Sequence, residues 1–176
     1  VQPVGQQELP LIDDEIVQIG QMTDRPFRYL AVQVENWNRD LSPWTAPAVF
    51  GDEDFGDGAE ALLEEILPLC AEQDKDYIIG GYSLAGLFAL WSACRTDVFS
   101  GAAAASPSLW FPGFSAYMKE KGLGCETVYL SLGTREEKTR NPVMRTVGDC
   151  ARYCFAWMKE QGINCTLEWN PGNHFK

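Results

Sequence analysis

Histidine is nearly absent from this chain, with one in 176 residues, at position 174. A sequence so poor in imidazole has few ways to hold zinc. Its six cysteines, at 70, 94, 125, 150, 154 and 165, contain no C-x-x-C pair at ligand spacing. No metal or other cofactor is therefore expected. Runs of lysine or arginine are also missing: 14 Lys and Arg stand against 25 Asp and Glu, for a net charge of −11. Nucleic acid and anionic membranes both need clustered positive charge, so neither is expected as a partner. No apolar stretch approaches the ~20 residues of a membrane span. The opening Val-Gln-Pro-Val lacks the charged and apolar regions of a signal peptide. No methionine begins it, so a segment is expected to have been removed or left out of this numbering. Cys150 and Cys154, four apart on an expected helix, share a face without being able to bridge. Free thiols in apolar stretches and the lack of a disulfide pattern point to a reducing cytoplasm.

What the chain does have is an ordinary globular composition, 45% hydrophobic, and a length suited to a single domain over 1–176. Its patterning alternates. Residues 1–4 read as a strand and 5–7 as a turn. Over 8–22, Leu9, Ile12, Ile16, Ile19 and Met22 recur every three or four positions, which predicts a helix with one buried stripe. Strands are expected at 27–34, from 77, at 98–105, at 127–132 and at 163–169. Helices are expected at 59–72, with Pro68 kinking or shortening the end, from Ser83 to 93, at 114–121, and from Pro142 to about 161. Strict alternation of strand and helix implies right-handed crossovers and a mainly parallel sheet covered on both faces. The segment 36–55, with two tryptophans and two prolines, is a long loop, and its aromatic content argues against disorder.

One stretch carries chemistry. In Gly80-Gly81-Tyr82-Ser83-Leu84-Ala85-Gly86, small residues flank a serine between a β-branched burst and a helical pattern. A strand turning sharply into a helix strains the central residue and excludes bulk beside it, which is the physical content of the nucleophile elbow G-x-S-x-G. Ala85 stands where that motif has its last glycine. Two blander readings remain, a tight turn and a phosphate-binding loop.

A serine hydroxyl needs a base to activate it, and His174, after the last strand, is the only imidazole available. The base in turn needs a carboxylate to orient it. Glu136, in the loop after the 127–132 strand, is preferred and Glu137 is the close alternative. The charged run Arg135-Glu136-Glu137-Lys138 also reads as a solvated surface. The backbone N–H of Leu84, and that of Gln6 in the turn after the first strand, are the candidate oxyanion donors. Trp37, Trp44, Trp110 and Phe111 fall in loops on the same edge. They are candidates for an apolar acyl or alcohol pocket; Trp37 and Trp44 also read as plugging the edge of the core, while Trp110 and Phe111 read as an exposed pair. Arg135 and Arg140 flank the acid loop, where they could meet a substrate carboxylate or simply neutralise the glutamates.

The segments GGYSLAG, SPSLWFPGF, LSLGTREEK and GNHF together resemble the esterase branch of the α/β-hydrolase superfamily, the group related to esterase D and enterochelin esterases. The resemblance implies a minimal α/β-hydrolase: a three-layer αβα sandwich with a six-stranded sheet. Its strands would be the third to eighth of that fold, in spatial order 4-3-5-6-7-8. It lacks counterparts of the fold's first two strands and of the helix after the histidine, as a minimal or trimmed version would. The expected activity is that of a serine hydrolase with a Ser-His-Glu triad, a carboxylesterase taking a small-molecule ester through an acyl-enzyme. Two alternatives stand beside it: a catalytically silent protein that kept the fold for binding or scaffolding, and an acyltransferase or peptidase using the same triad.

Overall fold

The computed structural model of the chain describes residues 1–175. Strands and helices follow in the order β1 (Gln2–Val4), α1 (Ile12–Met22), β2 (Ala31–Gln33), α2 (Trp37–Asp40), α3 (Ala59–Ile66) and β3 (Tyr77–Tyr82). They continue with α4 (Leu84–Arg95), β4 (Phe99–Ala105), α5 (Phe114–Lys121), β5 (Thr127–Gly133), α6 (Val147–Glu160) and β6 (Asn164–Asn170). All strand pairs in the two sheets are parallel, so each return must cross over through other elements.

The expected six-stranded sheet is corrected to a four-stranded sheet, β3-β4-β5-β6, and a separate pair, β1-β2. The two lie side by side, β1 against β3, with backbone hydrogen bonds at Val1: its nitrogen donates to Ile78 O at 2.7 Å, and Gly80 N donates to Val1 O at 2.8 Å. In a parallel ladder, the next residue of β1 to donate to β3 would be Pro3, which has no N–H. The ladder stops there.

The core lies on one face of the four-stranded sheet. Ten successive residues of α4, Leu84 to Ala93, are buried, as befits a helix apolar on all sides. α4 packs on β3 and β4, α6 packs on β6, and α5 bridges α4 and α6. Small residues in β4, Phe-Ser-Gly-Ala-Ala-Ala-Ala, let these elements approach closely. The opposite face is open. Ile78 and Tyr129 there are 56% and 37% exposed, and Thr127, Thr166 and Glu168 are exposed beside them. β6 alternates exposed and covered residues along its length, the pattern of a strand with one wet face.

α1 is also corrected. A 3-10 turn at Leu9–Leu11, containing Pro10, precedes it, and none of its residues is buried. The expected stripe is therefore exposed, with Ile16 at 36%, Ile19 at 38% and Met22 at 87%. No helical layer closes the second face among the described residues, so the three-layer sandwich is not built.

Smaller departures have local causes. The 59–72 helix ends as a 3-10 turn at Leu67–Cys70, around Pro68. The 27–34 strand is reduced to the three residues of β2. The long 36–55 loop begins with the short α2, whose Asn36 side chain accepts from Arg39 N.

Candidate active site

The C-terminal ends of parallel strands share one edge of the sheet, and loops from each converge there. β3 leads into α4 through Ser83, whose φ of 59° and ψ of −119° are strained for a residue with a side chain. Three backbone bonds over-determine it: Ser83 N donates to Ala105 O at 2.9 Å, while Ser83 O accepts from Leu87 N at 3.1 Å and Ser108 N at 3.0 Å. The flanking glycines are sterically required. A Cβ on Gly81 would fall 2.5 Å from the backbone carbonyl of Ala85, and one on Gly86 would fall 3.0 Å from Gly81 O. The elbow tolerates Ala85 because its methyl is itself accommodated at Gly81, where no side chain competes for the space.

His174 lies 91 residues from Ser83 along the chain, with Nε2 3.0 Å from Ser83 Oγ. Its Nδ1 lies 2.8 Å from Glu136 Oε2. A carboxylate only accepts, so Nδ1 is the donor and Nε2 of the neutral ring faces the serine as an acceptor. Glu136 is held from its other oxygen, with Ser106 Oγ donating to Oε1 at 2.6 Å and Gly133 N at 2.7 Å. Its side chain is only 4% exposed and that of His174 is 17%. Burial pushes the Glu136 carboxyl up, but the bonds from His174, Ser106 and Gly133 outweigh it and hold the group below its ordinary value of 4.5. Glu137 turns away and pairs with Arg152 at 2.9 Å.

Ser106 could not be singled out in the sequence. It follows β4 with a φ of 44°, the second positive φ of a non-glycine residue among those described, and it spends its hydroxyl on Glu136. The available signal was its place in Ser106-Pro107-Ser108, directly after a strand. Pro107 lies against the Gly86 position and Ser108 N bonds Ser83, so this loop braces both the elbow and the acid.

Leu84 opens α4, and its N–H has no acceptor within that helix. Val1 lies opposite Ile79 and β1 runs beside β3, so the turn after β1 leaves from the same end of the sheet as Ser83. The turn that follows is closed in both directions, by Glu8 N donating to Gly5 O at 3.0 Å and Gly5 N donating to Glu8 Oε2 at 2.7 Å. Gln6 is exposed in it and lines a cleft with Gly5, Gln7, Gln33, Glu35 and Trp37.

Of the four aromatics weighed for a pocket, only Trp37 lines that cleft, its ring resting on Gly5. Trp110 and Phe111 are corrected to core residues, 7% and 2% exposed. They pack with Phe55 at centroid distances of 5.9 and 5.2 Å. Trp44 is half-buried, donates from Nε1 to Pro112 O at 2.9 Å, and meets Phe111 edge-on. These rings tie the 36–55 loop to the body of the protein, which is where their apolar area goes. Arg135 and Arg140 are exposed. Among the described residues, no group of three or more His, Cys, Asp or Glu is arranged to hold a metal.

No protein-family model and no curated protein matches the chain. Among solved structures it is similar to the siderophore hydrolase EstA from Aspergillus nidulans. The TM-score is 0.58 and the identity 21%, over 79% of this chain and 60% of that one. It is also similar to a puromycin-hydrolyzing peptidase from Mycobacterium tuberculosis, with a TM-score of 0.46 and 18% identity, over 67% of this chain and 22% of that one. The likeness to EstA is one of fold: a parallel sheet with crossover helices. The chain spans 60% of the length of EstA. No helix among the described residues is long and apolar enough to cross a membrane.

Proposed function

We propose that the protein is a serine hydrolase, acting as a carboxylesterase on small or medium acyl esters through an acyl-enzyme on Ser83. The observation that carries this reading is the unbroken hydrogen-bonded series from Ser83 Oγ through both nitrogens of His174 to Glu136, at 3.0 and 2.8 Å. Within it, each group has one chemical part. His174 Nε2 takes the proton of Ser83 as Oγ attacks the ester carbonyl. Glu136 stabilises the imidazolium that forms, and His174 then returns the proton to the leaving alkoxide. The N–H of Leu84, with that of Gln6, meets the oxyanion. Water, deprotonated by the same imidazole, releases the acid and restores Ser83.

The experiment is turnover of p-nitrophenyl acetate and butyrate by the wild type and Ser83→Ala, with fluorophosphonate labelling of Ser83. Turnover and labelling are expected in the wild type and neither in the variant. A wild type that neither turns over nor labels sinks the reading.

A further inference from the structure

We propose that Tyr82 is a positioning residue of this site, fixing the imidazole of His174 through both its ring and its hydroxyl. The proposal rests on the hydrolase reading only for its kinetic consequences.

The need for such a residue follows from how His174 is held. The turn after β6 is tied to the sheet edge by Thr134 N donating to Asn170 O at 2.9 Å and Arg135 N donating to Gly172 O at 2.8 Å. The last of these backbone ties among the described residues lies two positions before His174. Phe175, on the far side, is 85% exposed. Its N–H donates back to Asn173 Oδ1, at 2.9 Å. Glu136 and Ser83 engage the two ring nitrogens and the Phe175 ring meets the imidazole edge-on at 5.1 Å, but none of these ties the backbone that carries the base.

Tyr82 holds it at two points. Its ring stacks on the imidazole with centroids 5.0 Å apart and planes 28° from parallel, which sets the plane of the ring. Its hydroxyl donates to the carbonyl oxygen of His174, which sets the backbone that carries the ring. Burial, then the nearby Glu136 and Glu8, push the phenol up to about 12, so it remains a donor wherever an ester can be assayed. Tyr82 is also the residue directly before Ser83. The strand end that aims the nucleophile therefore aims the base as well, and the distance between them is set within one dipeptide.

The test uses Tyr82→Phe, which keeps the ring, and Tyr82→Leu, which keeps neither ring nor donor. Each is made in the wild type and in His174→Ala. With p-nitrophenyl butyrate, kcat is expected to fall about 3- to 10-fold in Tyr82→Phe, the loss of one neutral hydrogen bond, and about 30- to 100-fold in Tyr82→Leu. KM should stay within about twofold of wild type. In the His174→Ala background neither change should lower the residual rate further, because Tyr82 acts through His174. Equal losses in both backgrounds, or a Tyr82→Leu enzyme within about twofold of wild type, would overturn the proposal.

A second readout does not depend on activity. His174 is the only histidine, so its ring protons form an unambiguous NMR signature. The Phe175 ring, edge-on at 5.1 Å, contributes to their shifts in every variant, and the stacked Tyr82 should add an upfield part that Tyr82→Phe retains and Tyr82→Leu loses. Ring shifts that are the same in wild type and Tyr82→Leu refute the clamp. A wild type with that upfield part but no Ser83-dependent turnover refutes the hydrolase reading alone.

Discussion

Glu136 and Glu137 are neighbours of identical chemistry whose surroundings separate them. The first is buried under Ser106, Gly133 and His174; the second sits at the surface against Arg152. Glu136→Gln is expected to lower kcat/KM by roughly 10³- to 10⁴-fold, because the imidazolium loses its countercharge and the tautomer is no longer enforced. Glu137→Gln should leave kcat/KM within about twofold and cost about 1 kcal/mol or less, as its ion pair is half-exposed. Ser106→Ala should fall between them, at about 10- to 100-fold, from loss of a bond to a charged acceptor. Steady-state kinetics on one ester substrate distinguishes all three, and equal losses at both glutamates would contradict the assignment.

The same carboxyl sets a pH dependence of stability. Its folded value lies below its ordinary 4.5, so the stabilisation is fully present above 4.5 and is lost as pH falls through the lower folded value. Urea titrations across that acid range should show a shallower fall in stability for Glu136→Gln than for wild type. Ser83 and His174 were legible because residue chemistry narrows the choice: one imidazole, and one serine between small residues. Ser106 and Tyr82 were not, since a serine after a strand and a tyrosine ending one are common structural residues. Only their partners, 30 and 92 positions away along the chain, reveal what they hold.

At the scale of elements, α4 and α1 are opposites that the apolar pattern alone does not separate. Both carry enough apolar residues to read as core helices. α4 buries ten in succession, while α1 buries none. Periodicity reports that a helix has an apolar side, not that another element lies against it. The sheet bears the same mark, since the open face at Ile78 and Tyr129 is the one on which a second helical layer was expected. Few buried contacts mean cheap local opening. Amide exchange in α1 is expected to approach the rate of an unprotected helix, whereas α4 should exchange only at the global unfolding limit. Mass-resolved exchange of peptides 12–22 and 84–95 measures this directly, and comparable protection of the two would contradict it.

For the whole molecule, the alternation of strand and helix was readable from end to end, and the parallel pairing followed from it. The break in the sheet was not, because it depends on which residue of a three-residue strand faces its neighbour. Pro3 falls at the one position where β1 would next have donated to β3, and the backbone hydrogen bonds between the two sheets are those of Val1. That seam divides the proposed machinery. Ser83, Glu136 and His174 are carried by the four-stranded sheet, while the turn bearing Gln6 is carried by the β1-β2 pair. On the proposed function, the catalytic centre draws on both sheets, and the shorter pair, whose β2 has no buried residue, carries only the Gln6 donor. In rising urea, ester turnover should therefore decline at concentrations where far-ultraviolet circular dichroism still reports an intact fold. Fluorophosphonate capture by Ser83 should outlast turnover, failing only when the larger sheet melts.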